Sequence, residues 1–496
     1  MVLGVTSLLT PRLDAILAAQ RSAFLKDPSP SVAVRTHRMD RLMSAVLDNA
    51  DELCDAINSD FGQRCAAATL ATDILAPLPD ILHIRRNVAA WSRPRRIGRG
   101  MHSLLGMRVR IVPQPLGVVG VIAPWNFPIT LALQPTFAAL AAGNRVMIKM
   151  SEVTPRAADV LARVVGQTFA VDELAVVVGD ASVASAFAGL AFDHLFFTGS
   201  PAVGQLVQRA AADHLVPVTL ELGGKNPAVV ARDADMARAA KRITAARMVN
   251  GGQLCLCPDY VLVPREKLEG FLAHAESAWR RCWPTVADNP SYPWIVDERN
   301  YIRLQDLVGD AESKGAKIKT VRPEGDKPSS PQHRWMAPTL VWDLDAGMRL
   351  YHEEVFGPIL SVFPYDTVDD IVAQIAERPA ALAAYWYGPP SPEFDEFSRH
   401  VRCGGLSRND FAIHALPNGA PFGGVGNSGF GYYHGRAGFD AFSHLRTTAS
   451  TRGRFSMMSF ASPPFTPLAE RAMRMALRLL RGMTRRRASA EPPELR

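Results

Sequence analysis

The sequence predicts an α/β protein with two doubly wound domains. Its 496 residues exceed what a single hydrophobic core usually organises. Short apolar segments alternate with segments of helical periodicity in two successive series, as in parallel sheets that helices cover on both faces. Turn-forming or polar residues end or follow three of the apolar segments, at Pro124, Lys149 and Thr198. Because such sheets bind ligands beyond the carboxyl ends of their strands, these three ends are the expected site.

Residues 11–91 are predicted to be mostly helical. Apolar residues recur at helical spacing over 11–58 and 66–91, and Pro28 and Pro30 divide the first segment into two helices. Residues 108–111 alternate polar and apolar side chains, which is typical of a half-buried strand. The first α/β series follows, with strands predicted at 117–123, 145–149, 174–178 and 194–197 and helices at 129–142, 155–169, 182–190 and 203–214.

A second α/β series begins near Pro217. Proline-rich segments at 322–338 and 389–392 are predicted to be surface loops. Residues 468–487, after a proline-rich break, place an apolar stripe opposite a row of arginines, which predicts a basic amphipathic helix. The strands of the second series are predicted at 228–231, 260–263, 317–321, 382–386 and 404–407, and its helices at 234–248, 268–282 and 368–377.

The net charge of +7 lies in the C-terminal tail. Residues 451–496 contain ten Arg, no Lys and three Glu, so the rest of the chain is formally neutral. A neutral body lacks the basic surface of a nucleic-acid-binding protein, so no nucleic-acid partner is expected. With 48% hydrophobic and 21% charged residues, the composition is that of an ordinary soluble protein.

The six cysteines are few and scattered, and Pro11 and Asp14 interrupt what would otherwise be the apolar part of an export signal. A cytoplasmic protein with reduced thiols is therefore expected. Cys255 and Cys257 form a Cys-x-Cys motif, but no second Cys or His pair has a spacing suited to a metal. No metal site is expected.

A carboxylate and a thiol are the reactive pair of this sequence. Glu221 lies in the mostly apolar run 216–222, just before two glycines, and Cys255 follows the polar, glycine-rich segment 250–253. A thiol can act as a nucleophile, and a nearby carboxylate can activate water. Each residue also has a structural interpretation, because a lone Cys is commonly an inert core residue and a carboxylate beside glycines commonly caps a loop.

Asn126 lies between two prolines in the turn 124–128. Its amide N–H groups can donate to an oxyanion, as acyl-transfer sites require. The alternative is an Asx turn that stabilises the loop itself.

Two strand ends suit a nucleotide. Gly199, Ser200 and Gly204 open a helix, where backbone N–H groups bind phosphate, although their spacing matches neither the dinucleotide fingerprint nor a Walker loop. Lys149 and Glu152 follow another strand and suit ribose hydroxyls, with the carboxylate repelling a 2′-phosphate. An ordinary ion pair is the alternative for these two residues.

The segment 353–358 combines two acids, an aromatic residue and a Gly-Pro turn. Glu354 and Phe356 suit contacts with a ribose and a nicotinamide ring. A surface turn is the alternative.

Together these motifs resemble those of the aldehyde dehydrogenase superfamily, over about residues 10–450. Three later segments are similar to the class 3 branch, which handles fatty and aromatic aldehydes, and two others to bacterial coniferyl aldehyde dehydrogenases. The superfamily motifs are 124–128, 149–152, 197–200, 221–225, 252–255 and 354–358; the class 3 segments are 421–429, 433–435 and 442–444; the last two are 257–264 and 283–290.

The resemblance implies the aldehyde dehydrogenase fold, with NAD as the cofactor, NADP as the alternative, a small-molecule aldehyde as the substrate and a homodimer as the assembly. The implied parts are a cofactor-binding domain over 1–215 with a bridging hairpin at 105–116, a catalytic domain over 216–415, a segment over 416–450 that returns to the first domain and serves oligomerisation, and the tail 451–496.

The resemblance also implies catalytic roles. Cys255 would be the nucleophile that forms a thiohemiacetal and then a thioester. Glu221 would be the general base that activates water. Asn126 and the backbone N–H of Cys255 would form the oxyanion hole.

The implied cofactor contacts lie on four segments. Lys149 and Glu152 would hold the adenosine ribose, Trp125 and Ser200 would lie against the pyrophosphate, and the turn 354–356 would meet the nicotinamide ribose and ring. The full set of implied cofactor-binding residues is Trp125, Lys149, Glu152, Gly199, Ser200, Gly204, Glu354 and Phe356.

Two residues beside the nucleophile depart from the class 3 pattern. Leu254 stands where Thr is usual, and Cys257 stands where Ala is usual. Both bear on substrate choice. If the segment is extended, Cys255 and Cys257 share a face, and oxidation can link them reversibly.

A catalytically retired nucleotide-binding or scaffold protein is the alternative function. Such proteins usually lack the nucleophile or the base, whereas Cys255, Glu221 and Asn126 are all present. For the helix at 468–487, one interpretation is contact with the inner surface of an anionic membrane. A docked or solvated helix, or a contact with another polyanion, is the alternative.

Overall fold

The computed structural model describes residues 3–97, 107–327, 329–451 and 462–488. The chain divides into two compact units. One unit comprises Met1–Arg93 and Pro113–His444 and holds both large sheets. The other comprises Pro94–Val112 and Leu445–Arg496. All candidate site residues lie in the first unit.

The N-terminal helices begin and end at polar caps and glycine. The Ser31 side chain accepts a hydrogen bond from Val34 N and so caps the second helix. Asn49 separates the second helix from the third, a break that the apolar periodicity did not predict. The helices are Leu3–Lys26, Val32–Asp48, Ala50–Phe61, Ala66–Thr69 continued by the π-helical turn Leu70–Leu75, and Leu78–Trp91.

Six strands form the first sheet within the described ranges. Five are parallel, and the edge strand Gly429–Phe430 is antiparallel to its neighbour. Val118–Ile122 is central and buried throughout, which explains its continuous apolar run. The order across the sheet is Gly429–Phe430, Val218–Leu222, His194–Gly199, Val118–Ile122, Arg145–Lys149, Leu174–Val177.

The helices of the first sheet connect its parallel strands. Thr130–Ala142 is buried on nearly every side because it packs against the helices Val32–Asp48 and Leu78–Trp91. It ends at Gly143, whose φ of 101° is in the left-handed region that favours glycine. The other connecting helices are Pro155–Thr168, Ala181–Ala188 and Pro201–Ala212.

Seven described strands form the second sheet. Lys317–Thr320 is an antiparallel edge strand, and the other six are parallel. The order is Lys317–Thr320, Thr339–Trp342, Ile359–Tyr365, Tyr260–Pro264, Pro227–Val230, Ala381–Tyr387, Cys403–Arg408. The helices around it are Met236–Arg247, Leu268–Cys282, Glu298–Ser313, Arg349–His352, Val368–Ala376 and Pro392–His400.

The doubly wound α/β prediction is confirmed, and some of its details are wrong. Val218–Leu222 pairs with His194–Gly199, so the first sheet extends beyond the boundary expected at residue 215. The periodicity also did not predict the helix Glu298–Ser313 or the buried strands Thr339–Trp342 and Ile359–Tyr365. These elements lack clear signals: Pro364 interrupts the apolar run of its strand, and the strand beginning at Thr339 directly follows the proline-rich loop.

A three-stranded sheet joins Arg95–Arg96, Met107–Pro115 and Ser443–Thr451 in that order. Met107–Pro115 contains the strand predicted at 108–111. The expected hairpin at 105–116 is described from residue 107 onward, and residues 105 and 106 lie outside the described residues.

Pro467–Ala488 is the helix predicted in the tail. Its apolar residues Leu468, Met475, Leu479 and Met483 are each more than half exposed. Residues 452–461 and 489–496 of the tail lie outside the described ranges.

Within the described part of the chain, no single helix is long and apolar enough to cross a membrane. Only Ala50–Phe61 and Ala66–Trp91 together reach the required length and composition, and they form a pair bent by 114°.

Candidate active site

The loop that carries Cys255 has an unusual backbone. Asn250, Gly251 and Gly252 all have positive φ, at 51°, 64° and 79°. A methyl group added to Gly252 would overlap with the carbonyl of Gly357. Glycine is therefore required at this position for both its conformation and its close approach to another backbone segment.

Gln253 holds this loop in place from inside the core. Its side chain is fully buried and donates to the carbonyls of Asn250 at 2.9 Å and Trp294 at 3.1 Å. Its Oε1 accepts a hydrogen bond from the Val296 backbone at 3.0 Å. All polar atoms of the amide side chain are thus bonded, which makes it a rigid support two residues before Cys255.

Asn226 holds the loop on the other side. Its Nδ2 donates to the carbonyls of Cys255 at 2.6 Å and Cys257 at 3.0 Å, and its Oδ1 accepts from Ala383 N at 2.9 Å. The sequence analysis missed this residue. Its position directly after Gly-Gly-Lys225 was the available signal, but nothing in the local sequence indicates which carbonyls it meets.

The Cys255 thiol is half-buried and lies near two carboxylates. Burial, with Glu354 and Glu221 nearby, raises the pKa of the Cys255 thiol far above its usual range. The resting thiol is therefore protonated at neutral pH. A reaction at this sulfur requires conditions that favour the thiolate, such as the arrival of a cation or the loss of negative charge from the carboxyl groups.

Glu221 is the penultimate residue of the strand Val218–Leu222 and is 4% exposed. Among the described residues, neither of its carboxylate oxygens has a hydrogen-bond partner. Burial raises the pKa of Glu221 well above its usual value. A buried carboxyl group without protein partners is suited to bind and deprotonate water, because no other side chain occupies its oxygens.

Asn126 is buried at the turn 124–128, and its Nδ2 donates to the carbonyl of Gln253 at 3.1 Å. An amide nitrogen carries two N–H groups, so one remains for an oxyanion beside the Cys255 loop. The backbone carbonyl of Asn126 accepts from Arg64 Nη1 at 2.9 Å and Asn250 Nδ2 at 3.1 Å. The structure therefore brings Asn126 against the loop that carries the thiol, as the sequence predicts.

Glu354 lies over the glycines that follow Glu221. Its carboxyl group occupies the space that a methyl group on Gly223 would need, and it accepts a hydrogen bond from the Gly224 backbone. Burial, with Asp259 nearby, raises the pKa of Glu354 to about 8.

Buried charges hold the backbone of Glu354. Arg303 donates to the carbonyls of Glu354 at 3.3 Å and Val355 at 2.6 Å. Asp259, which is paired with Lys225, accepts from Val355 N at 2.9 Å. The sequence analysis missed both Arg303 and Asp259, because their partners are distant in the chain.

Trp125 and Phe356 pack edge to face, with ring centroids 5.3 Å apart, and Trp125 also meets Phe61 at 6.2 Å. The resemblance assigned Trp125 to the pyrophosphate and Phe356 to the nicotinamide ring. The structure places these two side chains side by side, and their contacts with the cofactor stay predictions. Phe356 has a φ of 52°, a conformation that is uncommon for a large side chain.

Lys149 ends its strand almost fully buried. Its Nζ donates to the carbonyl of Met150 at 2.6 Å and lies 3.7 Å from Oε2 of Glu152, which is 44% exposed. Burial lowers the pKa of Lys149 from its usual value, against the opposing effect of Glu152. The ion pair that the sequence left as an alternative is present, and its exposed carboxylate remains open to a ribose.

The helix Pro201–Ala212 begins at Ser200, whose hydroxyl accepts from Val203 N at 3.4 Å. Gly204, which was predicted to bind cofactor, makes contacts within its own unit. Its N–H donates to Ser200 O within the helix, and a methyl group on it would lie 2.8 Å from a methyl carbon of Leu222. Gly204 therefore serves close helix–strand packing. A methyl group on Gly199 would likewise overlap with the Phe197 ring.

The proposed link between Cys255 and Cys257 loses its geometric basis. The Cys257 N–H donates to Leu254 O at 3.0 Å, so the segment forms a turn and is not extended. The Cys257 thiol is buried and lies 3.2 Å from the carbonyl of Ala246. Both cysteines are free.

The fold and this site define an aldehyde dehydrogenase. The model of the aldehyde dehydrogenase family matches residues 5–448, and the chain belongs to this family. It is an oxidoreductase that uses NAD(P) to oxidise an aldehyde to the carboxylic acid. The alternative of a retired scaffold protein finds no support in these comparisons.

Among characterised relatives, the chain is 42% identical to a probable coniferyl aldehyde dehydrogenase of Caulobacter vibrioides, covering 88% of this chain and 90% of the relative. It is 40% identical to the coniferyl aldehyde dehydrogenase of Pseudomonas sp., with the same coverage. It is also 34% identical to aldehyde dehydrogenase family 3 member A2 of Pongo abelii, over 86% of each chain.

A solved structure of Staphylococcus aureus AldH in its substrate-bound state is similar, with a TM-score of 0.86 and 29% identity over 94% of this chain and 99% of that one. These likenesses confirm the predicted aldehyde dehydrogenase fold.

Proposed function

We propose that this enzyme oxidises its substrate at Cys255, with Glu221 as the general base and Asn126 as the oxyanion donor. The observation that carries the proposal is that three candidate residues lie close to one thiol. Glu354 and Glu221 are near enough to raise the pKa of Cys255, and the Asn126 amide donates to the carbonyl of Gln253, two residues before the thiol.

In the first step the Cys255 thiol loses its proton to water, and the resulting thiolate forms a bond to the aldehyde carbon. The electron pair of the C=O π bond moves to oxygen, which accepts hydrogen bonds from the Asn126 amide and the Cys255 backbone N–H. A preorganised donor of this kind contributes about 10²–10³ in rate. A bound NAD would supply the acceptor for the hydride that leaves this carbon, and Glu152 and Glu354 are the residues proposed to hold it. Cys255 is left as a thioester.

The second step is hydrolysis of the thioester. Glu221 removes a proton from water, whose oxygen bonds to the thioester carbon. The carbon–sulfur bond breaks, the carboxylic acid leaves and the Cys255 thiolate is regenerated. The burial and raised pKa of Glu221 support this role, because a general base works best when its pKa approaches the working pH.

Replacing the nucleophile tests this assignment. We expect Cys255→Ala to lower turnover at least ~10³-fold, since non-covalent groups alone give only a small residual rate. The variant should still bind cofactor, which is measured by the quenching of tryptophan fluorescence. Cys257→Ala is the matched control and should keep its turnover within about threefold. Equal turnover of Cys255→Ala and the wild type would exclude Cys255 as the nucleophile.

We propose NAD as the preferred cofactor. The residues fit a dinucleotide: Glu152 offers an exposed carboxylate beside Lys149, and Glu354 lies on a two-glycine cradle that a side chain would fill. A carboxylate at the ribose disfavours a 2′-phosphate. The AldA indole-3-acetaldehyde dehydrogenase of P. syringae, 25% identical with a TM-score of 0.80, was solved in complex with NAD+.

We propose an aromatic aldehyde of the coniferyl type as the substrate, with medium- or long-chain aliphatic aldehydes as the alternative. Two relatives at 40–42% identity are named for coniferyl aldehyde. A cavity of about 190 Å³ adjoins the oxyanion turn, and its lining includes Phe127, Asn250, Met248 and Trp283. Its apolar side chains, two of them aromatic, suit a planar ring, and Arg64, Thr72 and Ser291 add polar groups to the lining.

An aldehyde panel tests substrate and cofactor together. NADH and NADPH formation is measured with aromatic and aliphatic aldehydes, each with NAD and NADP. We expect the highest kcat/KM for a coniferyl-type aldehyde with NAD. A tenfold preference for aliphatic aldehydes would reject the substrate proposal, and a tenfold preference for NADP would reject the cofactor proposal.

We also propose that the enzyme forms homodimers. Ser443–Thr451 is the edge strand of its sheet, and most of its side chains are exposed. Among the described strands it has a neighbour on one side only, and an exposed edge strand can pair with a strand of a second copy. Light scattering that finds only monomers at micromolar concentration would reject the proposal.

For location, we propose a cytoplasmic enzyme that contacts the inner membrane surface through Pro467–Ala488. Its exposed leucines and methionines and its arginines form the two faces of an interfacial helix. Each basic residue near an anionic surface contributes about 1 kcal/mol. Co-sedimentation with phosphatidylglycerol vesicles should depend on residues 462–496; equal binding without them would reject the contact.

A further inference from the structure

Arg64 and Asp73 form a buried ion pair at the edge of the catalytic centre. Nη2 of Arg64 lies 2.6 Å from Oδ2 of Asp73, and their side chains are 1% and 0% exposed. Removing two charges from water costs free energy that apolar packing would avoid. Such a pair calls for a role beyond filling space, and its other contacts indicate one.

Both members of the pair hold the turn that carries Asn126. Nη1 of Arg64 donates to the backbone carbonyl of Asn126 at 2.9 Å, and the guanidinium lies 4.9 Å from the Phe127 ring centroid. Oδ1 of Asp73 accepts from Ile129 N at 3.2 Å, where the turn leads into its helix. The pair therefore holds the turn at Asn126 itself and at Ile129, where the turn ends.

A guanidinium suits this position better than an ammonium. Arg64 bonds at once to the Asn126 carbonyl, to Asp73 and to Thr72 Oγ1, the last at 2.9 Å. A planar fork of donors serves three acceptors in different directions, whereas Lys offers a single nitrogen at the end of a flexible stem.

We propose that Arg64 and Asp73 are a positioning pair for the oxyanion donor. Arg64 fixes the backbone of Asn126, and the Asn126 amide, bonded to Gln253, is thereby aimed at the aldehyde oxygen. Because a misplacement of about 1 Å at a catalytic group can cost about 10²-fold in rate, loss of this support lowers turnover. The inference rests on the proposed role of Asn126.

The test is a double-mutant cycle on the full-length enzyme with saturating NAD. Arg64→Lys should lower kcat about 10- to 100-fold while the KM values for aldehyde and NAD stay within about threefold. Asn126→Ala should lower kcat about 10²–10³-fold. In the Asn126→Ala background, Arg64→Lys should cost no more than about threefold further, because the group it positions is already absent.

Two variants keep the test decisive. Asp73→Asn retains an oxygen for Ile129 N while it removes the ion pair, and it should give the same non-additive pattern; it replaces Arg64→Lys in the cycle if that variant does not fold. Arg38→Lys is the control. Arg38 is also a buried arginine in an ion pair, with its Nε 3.0 Å from Oε1 of Glu173, and this pair does not contact the turn of Asn126. The control variant should lower Tm and leave kcat within about twofold.

Three outcomes overturn the inference. They are additive losses of kcat in the cycle, wild-type kcat in both Arg64→Lys and Asp73→Asn, or a loss confined to the KM for aldehyde, which would make Arg64 a substrate contact. If the single variant Asn126→Ala keeps the wild-type kcat, the proposed oxyanion donor is rejected. This result does not depend on the Arg64 variants, so the two failures can be told apart.

Discussion

The nucleophile loop, residues 250–257, and the predicted cofactor contacts at 149–152 and 199–204 are held in different ways. The loop bonds to residues far away in the chain, including Asn126, which is 127 positions before Gln253. The cofactor contacts are local: Lys149 bonds to Met150, and residues 199–204 bond within their own helix start. The thiol loop is therefore held by side chains from distant parts of the core, whereas the side-chain bonds of the predicted cofactor residues go mainly to neighbours in the chain, and Gly204 also packs against Leu222 on an adjacent strand.

The largest effect is expected on the chemistry itself. Glu221→Gln should lower steady-state kcat about 10²–10⁴-fold, because it removes the base that activates water for hydrolysis. The initial burst of NADH should remain near one equivalent per active site, because the thioester still forms. Stopped-flow absorbance measures both. Loss of the burst together with kcat would place Glu221 in the first step.

Removing the long-range support should have the next largest effect. Asn226→Ala leaves the carbonyls of Cys255 and Cys257 without their buried donor, which costs about 1–3 kcal/mol per group. We expect kcat to fall about tenfold and Tm to fall, with NAD affinity unchanged. Kinetics and thermal unfolding test this expectation. Weaker NAD binding with a normal kcat would show that Asn226 supports the cofactor contacts and not the thiol loop.

A change at the local contacts should affect cofactor choice alone. Glu152→Gln removes the half-exposed carboxylate beside Lys149, so we expect the KM for NADP to fall about three- to tenfold with kcat for NAD unchanged. Glu298→Gln, at an exposed helix start, is the control. An unchanged NADP to NAD ratio would show that Glu152 does not face the ribose.

The smallest effect is a pH dependence of stability. Glu354 has a pKa of about 8 in the folded protein and about 4.5 as its ordinary value. Between these values the folded state binds more protons than the unfolded state, so stability falls as pH rises. The Tm of the wild type relative to Glu354→Gln should fall by a few degrees from pH 5 to pH 8 and then level off. Parallel Tm profiles would contradict the shift.

The candidate residues could be named from the sequence because their motifs, taken together, resemble those of one family. The structure brings Glu221 and Asn126 close to the loop of Cys255, and their catalytic roles stay predictions. Their supports were not predictable, since Gln253 and Asn226 act through bonds to distant carbonyls that no local pattern encodes.

Close packing and strand pairing could not be predicted from local patterns. Gly204 stands in a predicted phosphate loop, and the side chain of Leu222, on a neighbouring strand, also requires it to be small. Val218–Leu222 looked like the start of a second domain, and only its pairing with His194–Gly199 assigns it to the first sheet. Sequence patterns indicate the type of an element and which of its faces is buried, whereas strand pairing and close packing depend on residues elsewhere in the chain.

The close approach of Gly252 to the Gly357 carbonyl has a mechanical consequence. It is a contact between two backbones, so no side-chain replacement elsewhere relaxes it. The loop that bears the thiol and the turn that bears Glu354 are therefore in direct backbone contact, so we expect a shift of one to be felt by the other. A displacement of that turn, such as one that accompanies cofactor exchange, is then expected also to displace the sulfur, and a bulky residue at position 252 would push both apart together.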